Sequence, residues 1–365
     1  MSLTEDLVLF ENFTVSSFRG QYDVTFKSWE DALTNELAAG DVVIVDRNVT
    51  KLYPSILPLI KNNKTIFLNA CEDSKSYIQI GETIEEIISS GFSKNNRLIA
   101  IGGGITQDIT SFSSSIMFRG VDWIFFPTNL LTQCDSCIGS KTSVNLGQYK
   151  NQLGGFHPPR KIFIDMSFCG TLDIKEICSG LGEMMHYFLV DGSIEPVTFI
   201  DTIKKAKNDI ATLQDLVWKS LSIKKKMIEL DEFDQGPRNV FNYGHTFGHA
   251  LEAATKFAVP HGIAVAYGID LANIISAKKG LINISVRNDI RPMLHEICSA
   301  MPIPPFDIDA YFEALKRDKK NIGSEVKVIL TRGLGEMFKT TLHLDNDIHL
   351  IIKEYFEQQL YRVNL

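Results

Sequence analysis

The stretch RLIAIGGGITQD, residues 97–108, decides the fold. A run of strand length at 97–101 ends in Gly102, Gly103 and Gly104, and a helical-period segment follows. Glycines at a strand-to-helix turn let the backbone come close to a ligand, and the helix N-terminus beyond them favours a pyrophosphate. On the N-terminal side, DVVIVD at 41–46 and TIFLN at 65–69 are further short apolar runs, with helical-period sequence between the runs, as at 83–91. Strands alternating with helices imply parallel βαβ units. Each strand then ends at the carboxyl edge of the sheet, where ligand loops begin. Asp46 closes its run with an acid placed to hydrogen-bond a ribose hydroxyl. The turn is not GxGxxG, and a tight turn with a capping Asp is the alternative; acid, glycines and βαβ context together favour a nucleotide. Residues 1–30 alternate weakly and read as edge strands.

Past the glycines, FPTNLLTQCD (126–135) leads into GSKTSVN (139–145) and KNQLGG (150–155). Asp135, Lys141, Asn145, Lys150 and Asn151, in a polar, glycine-rich stretch, suit an anionic substrate, with lysine as the point charge for phosphate. A solvated loop is the plain alternative, weakened by the interleaved apolar residues. Cys134 and Cys137 form one CxxC. Without a second pair it is weak evidence for zinc, and a structural reading is preferred. The six cysteines show no framework spacing, so reduced thiols are expected.

The 365 residues are 44% hydrophobic and 22% charged, an ordinary globular composition of a length that favours two domains. A net charge of -7 argues against a non-specific nucleic-acid partner. No apolar run reaches the roughly 18 residues of a spanning helix, and the N-terminus lacks a basic region followed by an apolar core. A cytoplasmic location without a membrane partner is the expectation.

Beyond residue 174 helical-period segments dominate, at 177–190, 211–230, 244–256 and 262–279. The boundary is placed within 170–185, giving an α/β dinucleotide-binding domain over 1–175 and an all-α domain over 176–365. The second half is organised around RNVFNYGHTFGHALEAATKFAVPHG, residues 238–262, which holds three of the eight histidines. His245 and His249 are one helical turn apart. Arg238 and Asn242 would continue the same face on an unbroken helix, and a core face cannot bury such groups unpaired; a helix whose histidines are capped or merely exposed is the plain alternative. His261, between Pro260 and Gly262, reads as the entry to a new helix. Upstream, Glu183 and His186 share a helix face. A carboxylate and two imidazoles with an open position make a catalytic divalent-metal set, and Glu183, His245 and His261 supply one if their helices meet. In the tail, KRDKK at 316–320 is a surface helix or a second anion contact.

At this point the motifs GGGITQD, MFRG, PTNLL, SKTSVN, YKNQLGGF, GLGE and RNVFNYGHTFGHA with PHG, in this order, resemble the dehydroquinate synthase family of sugar phosphate cyclases, from about Asp46 to about Leu330. The resemblance implies a Rossmann-like NAD-binding domain, a helical metal-binding domain, a divalent zinc or cobalt ion and a homodimer. It matches Glu183, His245 and His261 to metal ligands. It matches Asp135, Lys141, Lys224, Arg238, Asn242 and His249 to catalytic positions. Substrate contacts fall on Lys150, Asn151 and Lys320 or its neighbour Lys319, with Arg119 donated across the dimer. Nucleotide contacts fall on Asp46, Asn48, Glu72, Lys75, Gly103, Gly104, Asp108, Thr128, Lys150 and Thr171. The implied reaction converts 3-deoxy-D-arabino-heptulosonate 7-phosphate to 3-dehydroquinate and phosphate. It proceeds by transient oxidation with NAD, phosphate elimination, re-reduction and an intramolecular aldol closure.

The chain departs from the family pattern at three places. His186 stands where a lysine is usual in the catalytic set, Asn129 where a second threonine is common, and Ser140 where a glycine is usual. Glu183-x-x-His186 would even offer a metal a fourth protein ligand. Arg238 points to a carboxylate-bearing substrate, because relatives acting on sugar phosphates without a carboxylate tend to lack it. Other sugar phosphate cyclases, of the aminodehydroquinate or sedoheptulose 7-phosphate type, are the runner-up. A polyol dehydrogenase of similar plan and a non-catalytic binding protein are the readings from other classes.

Overall fold

The computed structural model describes residues 11–147, 149–317 and 325–361. The chain forms two compact units, Met1–Thr171 and Leu172–Leu365.

The first unit is built on nine strands: β1 (Phe13–Ser17), β2 (Gly20–Phe26), β3 (Val42–Asp46), β4 (Lys64–Leu68), β5 (Leu98–Gly102), β6 (Trp123–Pro127), β7 (Lys141–Leu146), β8 (Tyr149–Phe156) and β9 (Lys161–Ile164). Seven of them form one sheet in the order β1-β2-β9-β6-β5-β3-β4. Every neighbouring pair in it is parallel except β1 with β2. The central strands β5 and β6 are buried along their whole length. That is why their sequences are continuous apolar runs rather than alternations. On one face Val43, Val45, Ile99, Ile101, Ile124 and Phe126 pack against Trp29, Leu33, Ile56 and Phe168.

From β3 the chain moves outward to β4, then crosses back to β5 on the other side. The direction of winding therefore reverses between β3 and β5, and ligands bind at the carboxyl ends of strands flanking such a reversal. Val45 pairs with Ile101, so Asp46 and Gly102 leave the sheet at the same level. The acid and the glycines that mark the two ends are thus neighbours because of the strand register.

The polar stretch at 139–155 is an antiparallel hairpin of β7 and β8, with a bulge between Val144 and Leu146, and not a loop. Its glycines masked the alternation: a Cβ on Gly154 would lie 2.0 Å from the Thr142 carbonyl oxygen, so strand pairing itself demands glycine there.

His157 closes this hairpin onto the sheet. Its Nε2 is 2.8 Å from the Val121 carbonyl and its Nδ1 2.6 Å from Arg19 Nη1. Arg19 can only donate, so Nδ1 accepts and Nε2–H donates: the ring is neutral. Burial, together with the Arg19 charge, lowers its pKa below 6.5 although the Val121 carbonyl favours the charged form. The unfolded chain therefore binds the proton more readily. This contribution to stability is complete above pH 6.5 and is lost as pH falls from there through the folded value. Urea unfolding of the wild type is expected to show stability declining across that interval, and His157→Asn is expected to remove that part of the slope.

The second unit holds the helices Ile174–Asp191, Pro196–Ala206, Ile210–Leu230, His245–Ala254, His261–Lys278, Ile284–Cys298, Ile308–Arg317 and Asn346–Tyr361. It is helical but not all-α: β10 (Glu325–Thr331) and β11 (Met337–His343) pair as an antiparallel hairpin. The helix Ile174–Asp191 starts at a capping box, with the Asp173 carboxylate on the Glu176 amide and the Glu176 side chain on the Asp173 amide. The central helix, His261–Lys278, is buried nearly all round. Its one carboxylate, Asp270, accepts a bidentate pair from Arg287 at 2.9 and 3.0 Å, the geometry that makes a buried charge tolerable. Among the described residues no helix is long and apolar enough to cross a membrane.

Candidate active site

Three helices of the second unit meet at glycines. A Cβ on Gly262 would lie 1.7 Å from the Ser179 carbonyl oxygen, and one on Gly182 would lie 2.1 Å from the Gly262 carbonyl oxygen. Helices Ile174–Asp191 and His261–Lys278 therefore touch backbone to backbone. Glycines carry the neighbouring contact as well: a Cβ on Gly268 would lie 2.0 Å from the Gly244 carbonyl oxygen. Each of these contacts stands beside a functional side chain in sequence. Gly182 precedes Glu183, Gly244 precedes His245 and Gly262 follows His261.

The result is a convergence of Glu183, His245 and His261, whose ligand atoms all lie within 4.8 Å of one another. His245 Nε2 is 3.5 Å from Glu183 Oε1, and His261 Nε2 is 3.3 Å from Glu183 Oε2. Glu183 is 3% exposed, and its Oε2 has no hydrogen bond of good geometry. Burial alone would raise its pKa; the imidazoles of His245 and His186 outweigh it and hold the carboxyl well below the usual range. An ionised, buried carboxylate with an oxygen lacking a donor fits a cation held between it and the two imidazoles. His245 Nδ1 is 3.3 Å from the Tyr243 carbonyl, which leaves Nε2 directed at Glu183. The donor set is the carboxylate–imidazole type of a divalent zinc-like ion with an open position.

His245 also lines a cavity of about 140 Å³ whose walls include Asn239, Asn242, His249, Lys327 and Lys339. The expected side chains Asn242 and His249 thus face the same space as His245. They do not share a helix, however. Residues Pro237–Asn242 form a tight helical turn, Gly244 takes φ 82°, and the helix begins at His245. The expected single face carrying Arg238, Asn242, His245 and His249 is therefore two elements joined at a left-handed glycine. Arg238 is buried, with Nη1 donating to the Glu232 carbonyl at 2.8 Å and its amide donating to Asp231 Oδ2 at 3.1 Å. Lys224 is buried on helix Ile210–Leu230. His186 is buried one turn after Glu183, its Nδ1 3.7 Å from Glu183 Oε1 and its ring edge-on to His245 at 5.0 Å. It lies beside the converging ligand atoms of Glu183, His245 and His261 and is not one of that group. Lys319 and Lys320 lie outside the described residues.

In the first unit Asp46 Oδ1 accepts from the Asn48 amide at 2.8 Å, capping helix Arg47–Leu52. Lys75 Nζ sits 2.6 Å from both Asp108 Oδ2 and Asn151 Oδ1. Glu72 Oε1 accepts from Asn145 Nδ2 at 2.7 Å and lies 3.8 Å from Lys150 Nζ. These contacts tie the β7–β8 hairpin to the turn after β4 and to the helix that follows the glycines. A Cβ on Gly103 would lie 2.4 Å from Asn129 Nδ2, so a side chain there would have to displace that amide. Asn129 Oδ1 in turn accepts from the Thr132 amide at 2.9 Å and the Thr132 hydroxyl at 2.8 Å. An asparagine at this position thus caps the next turn, which carries a half-buried Asp135. Thr128 follows β6 with its amide on the Gly102 carbonyl, Gly104 opens helix Gly104–Ile116, Lys141 opens β7, and the Thr171 hydroxyl is 3.0 Å from the Tyr53 hydroxyl. Phe118, Arg119 and Gly120 take successive φ values of 49°, 65° and 112°.

Cys134 and Cys137 are both buried, and their thiols lie near the local carbonyls of Leu131 and Gln133 at 3.6 and 3.5 Å. Among the described residues neither cysteine belongs to a group of converging ligand atoms. Glu252, Lys327 and Lys339 escaped the sequence reading. Glu252 stands three residues after His249 on the same helix, a visible spacing that also suits a solvated face. The lysines sit on the β10–β11 hairpin, whose alternation in EVKVILT and MFKTTLH was legible.

The 3-dehydroquinate synthase N-terminal family model matches residues 65–179, and the C-terminal one matches residues 180–321. The chain belongs to the 3-dehydroquinate synthase family. Within that family, the 3-dehydroquinate synthase of Alkaliphilus metalliredigens is 33% identical over 311 residues, spanning 82% of this chain and 86% of that protein. The fold of this family member also matches solved structures. A 2-deoxy-scyllo-inosose synthase complexed with carbaglucose-6-phosphate, NAD+ and Co2+ superposes with TM-score 0.84 at 22% identity, covering 96% of this chain and 100% of that one. The 2-epi-5-epi-valiolone synthase of Streptomyces hygroscopicus subsp. jinggangensis, with NAD+ and Zn2+ bound, gives TM-score 0.80 at 22% identity over 92% and 97% of the two chains. The α/β plan followed by a helical one is therefore the cyclase fold.

Proposed function

We propose that this chain is a 3-dehydroquinate synthase acting on 3-deoxy-D-arabino-heptulosonate 7-phosphate with NAD and a divalent metal ion. The observation that carries the reading is the convergence of Glu183, His245 and His261 within 4.8 Å in a chain of this family. When bound, NAD takes up and returns one hydride, and the metal polarises an oxygen at the reacting carbon. The chain's own residues bind and orient. Arg238, buried and held by the Glu232 carbonyl, suits a substrate carboxylate, because guanidinium pairs with it in two parallel hydrogen bonds. Asn242, His249 and the lysine-bearing wall of the cavity suit a phosphate. Holding one flexible intermediate in place is the protein's principal task after the hydride steps.

In the first unit Asp46 and the Gly102–Gly104 turn are assigned the nucleotide. One Asp46 oxygen caps Asn48, which leaves the other for a ribose hydroxyl. Asp46→Ala is expected to raise the dissociation constant for NAD about tenfold, corresponding to about 1.5 kcal/mol for a hydrogen bond to a charged group; calorimetric titration with NAD checks this. We further assign Arg119, on its strained turn, to a partner subunit of a homodimer, and the six free cysteines suit a reducing cytoplasm. The other cyclase reading is favoured by one observation, His186 in a buried position beside the metal set. Turnover of the zinc-loaded protein with 3-deoxy-D-arabino-heptulosonate 7-phosphate and, in parallel, sedoheptulose 7-phosphate separates the two. Dehydroquinate from the first alone is expected; a cyclitol from the second alone would move the chain to the other branch and remove the carboxylate argument from Arg238.

A further inference from the structure

We propose that Glu252 is a positioning residue for the metal site: it fixes the ring orientation of His261. The inference rests on the metal reading above. His261 is the first residue of its helix, directly after Pro260, so the preceding turn does not constrain its ring. Its two nitrogens face two different carboxylates. Nε2 is 3.3 Å from Glu183 Oε2, and Nδ1 is 3.1 Å from Glu252 Oε2. Only the second contact has hydrogen-bond geometry; Glu183 Oε2 has no such bond. The Glu252 contact holds the ring through Nδ1 and so turns Nε2 toward Glu183, the orientation in which Nε2 can serve a cation seated beside that carboxylate.

The location of Glu252 suits this role. It lies seven residues, about two turns, after His245 on helix His245–Ala254, so one helix carries both a metal ligand and the residue that orients a second ligand from another helix. Its side chain is 13% exposed, against 29% for His261, so both partners are partly buried. The His245 ring is oriented independently, by the Tyr243 carbonyl. A second group of possible ligand atoms, His249, Glu252 and His261, shares His261 with the first. It is not favoured as the ion's seat, because the Glu252 oxygen that faces His261 already accepts a hydrogen bond, whereas Glu183 Oε2 accepts none.

The test is zinc affinity, measured by chelator competition on the full chain, for wild type, Glu252→Ala, Glu252→Gln and Glu183→Ala. Glu252→Ala is expected to weaken zinc binding about 10- to 100-fold, the usual effect of losing a partner behind a ligand. Glu252→Gln keeps a carbonyl acceptor for Nδ1–H and is expected to recover part of the loss. Glu183→Ala is expected to lose far more than either. The metal-free proteins are expected to melt at the same temperature as metal-free wild type, so that a merely structural role is separated. Unchanged zinc affinity in Glu252→Ala, or a loss matched by unfolding of the metal-free protein with no recovery in Glu252→Gln, overturns the proposal. So does a loss in Glu252→Ala equal to that in Glu183→Ala, which makes Glu252 itself a ligand. Failure of the wild type to bind zinc would instead defeat the metal reading on which the proposal stands.

Discussion

Glu183→Gln is expected to emerge from purification without metal and to turn over at least about a thousandfold more slowly than wild type. The carboxylate is the one acidic member of the converging set and has an oxygen without a hydrogen bond. Glutamine keeps the shape and removes the charge. It also brings an amide N–H toward one of two imidazole nitrogens at 3.3 and 3.5 Å, so the pocket becomes satisfied without a cation. A Lewis acid at a reacting oxygen is worth several kcal/mol, and about 4 kcal/mol is three powers of ten in rate. Metal content by atomic emission and turnover with excess zinc check the two halves of the expectation. A Glu183→Gln protein that keeps one zinc per chain and most of its activity would remove the site from its assigned role.

Gly262→Ala is expected to destabilise the protein by about 3 kcal/mol or more, at the upper end of what overpacking costs, and to abolish metal binding. The added methyl would stand 1.7 Å from the Ser179 carbonyl oxygen and 2.9 Å from the Glu183 amide nitrogen. Both are backbone atoms of a buried helix and cannot swing aside as a side chain does. Helices Ile174–Asp191 and His261–Lys278 must separate, and Glu183 and His261 move apart with them. Urea unfolding followed by circular dichroism gives the stability change, and zinc titration of the folded variant gives the loss of the site. A stable Gly262→Ala protein with wild-type zinc affinity would show that the close helix contact does not set the ligand geometry.

These two substitutions also show what could be read from the sequence and what could not. The candidate ligand types were legible, because Glu183 and His245 lie on strongly periodic helices and His261 follows a proline that marks a helix start. Their convergence was not, since it depends on contacts between residues such as Gly182 and Gly262 that are far apart in the chain. The signal was present in the glycine adjoining each ligand, but a glycine in a helix has many causes. The βαβ half read well because buried parallel strands are unmistakable apolar runs, and Asp46 and Gly102 then share an edge by register alone. The expected face through Arg238 and His249 failed because helical spacing says nothing about a left-handed break, which Gly244 supplies. The β10–β11 hairpin hid in a tail read for its charges. Glu252 was passed over because a glutamate in the middle of a helix is most often solvated, and only the position of His261 shows otherwise.

The most direct test of the account is the stoichiometry of NAD. Zinc-loaded protein would be given 3-deoxy-D-arabino-heptulosonate 7-phosphate and a small amount of NAD, with dehydroquinate, phosphate and NADH all followed. The account predicts one phosphate per dehydroquinate, many turnovers for each NAD, and no build-up of NADH, because the hydride returns to the carbon it left. NADH accumulating with product one for one would contradict it and make the chain a dehydrogenase that shares the cyclase fold.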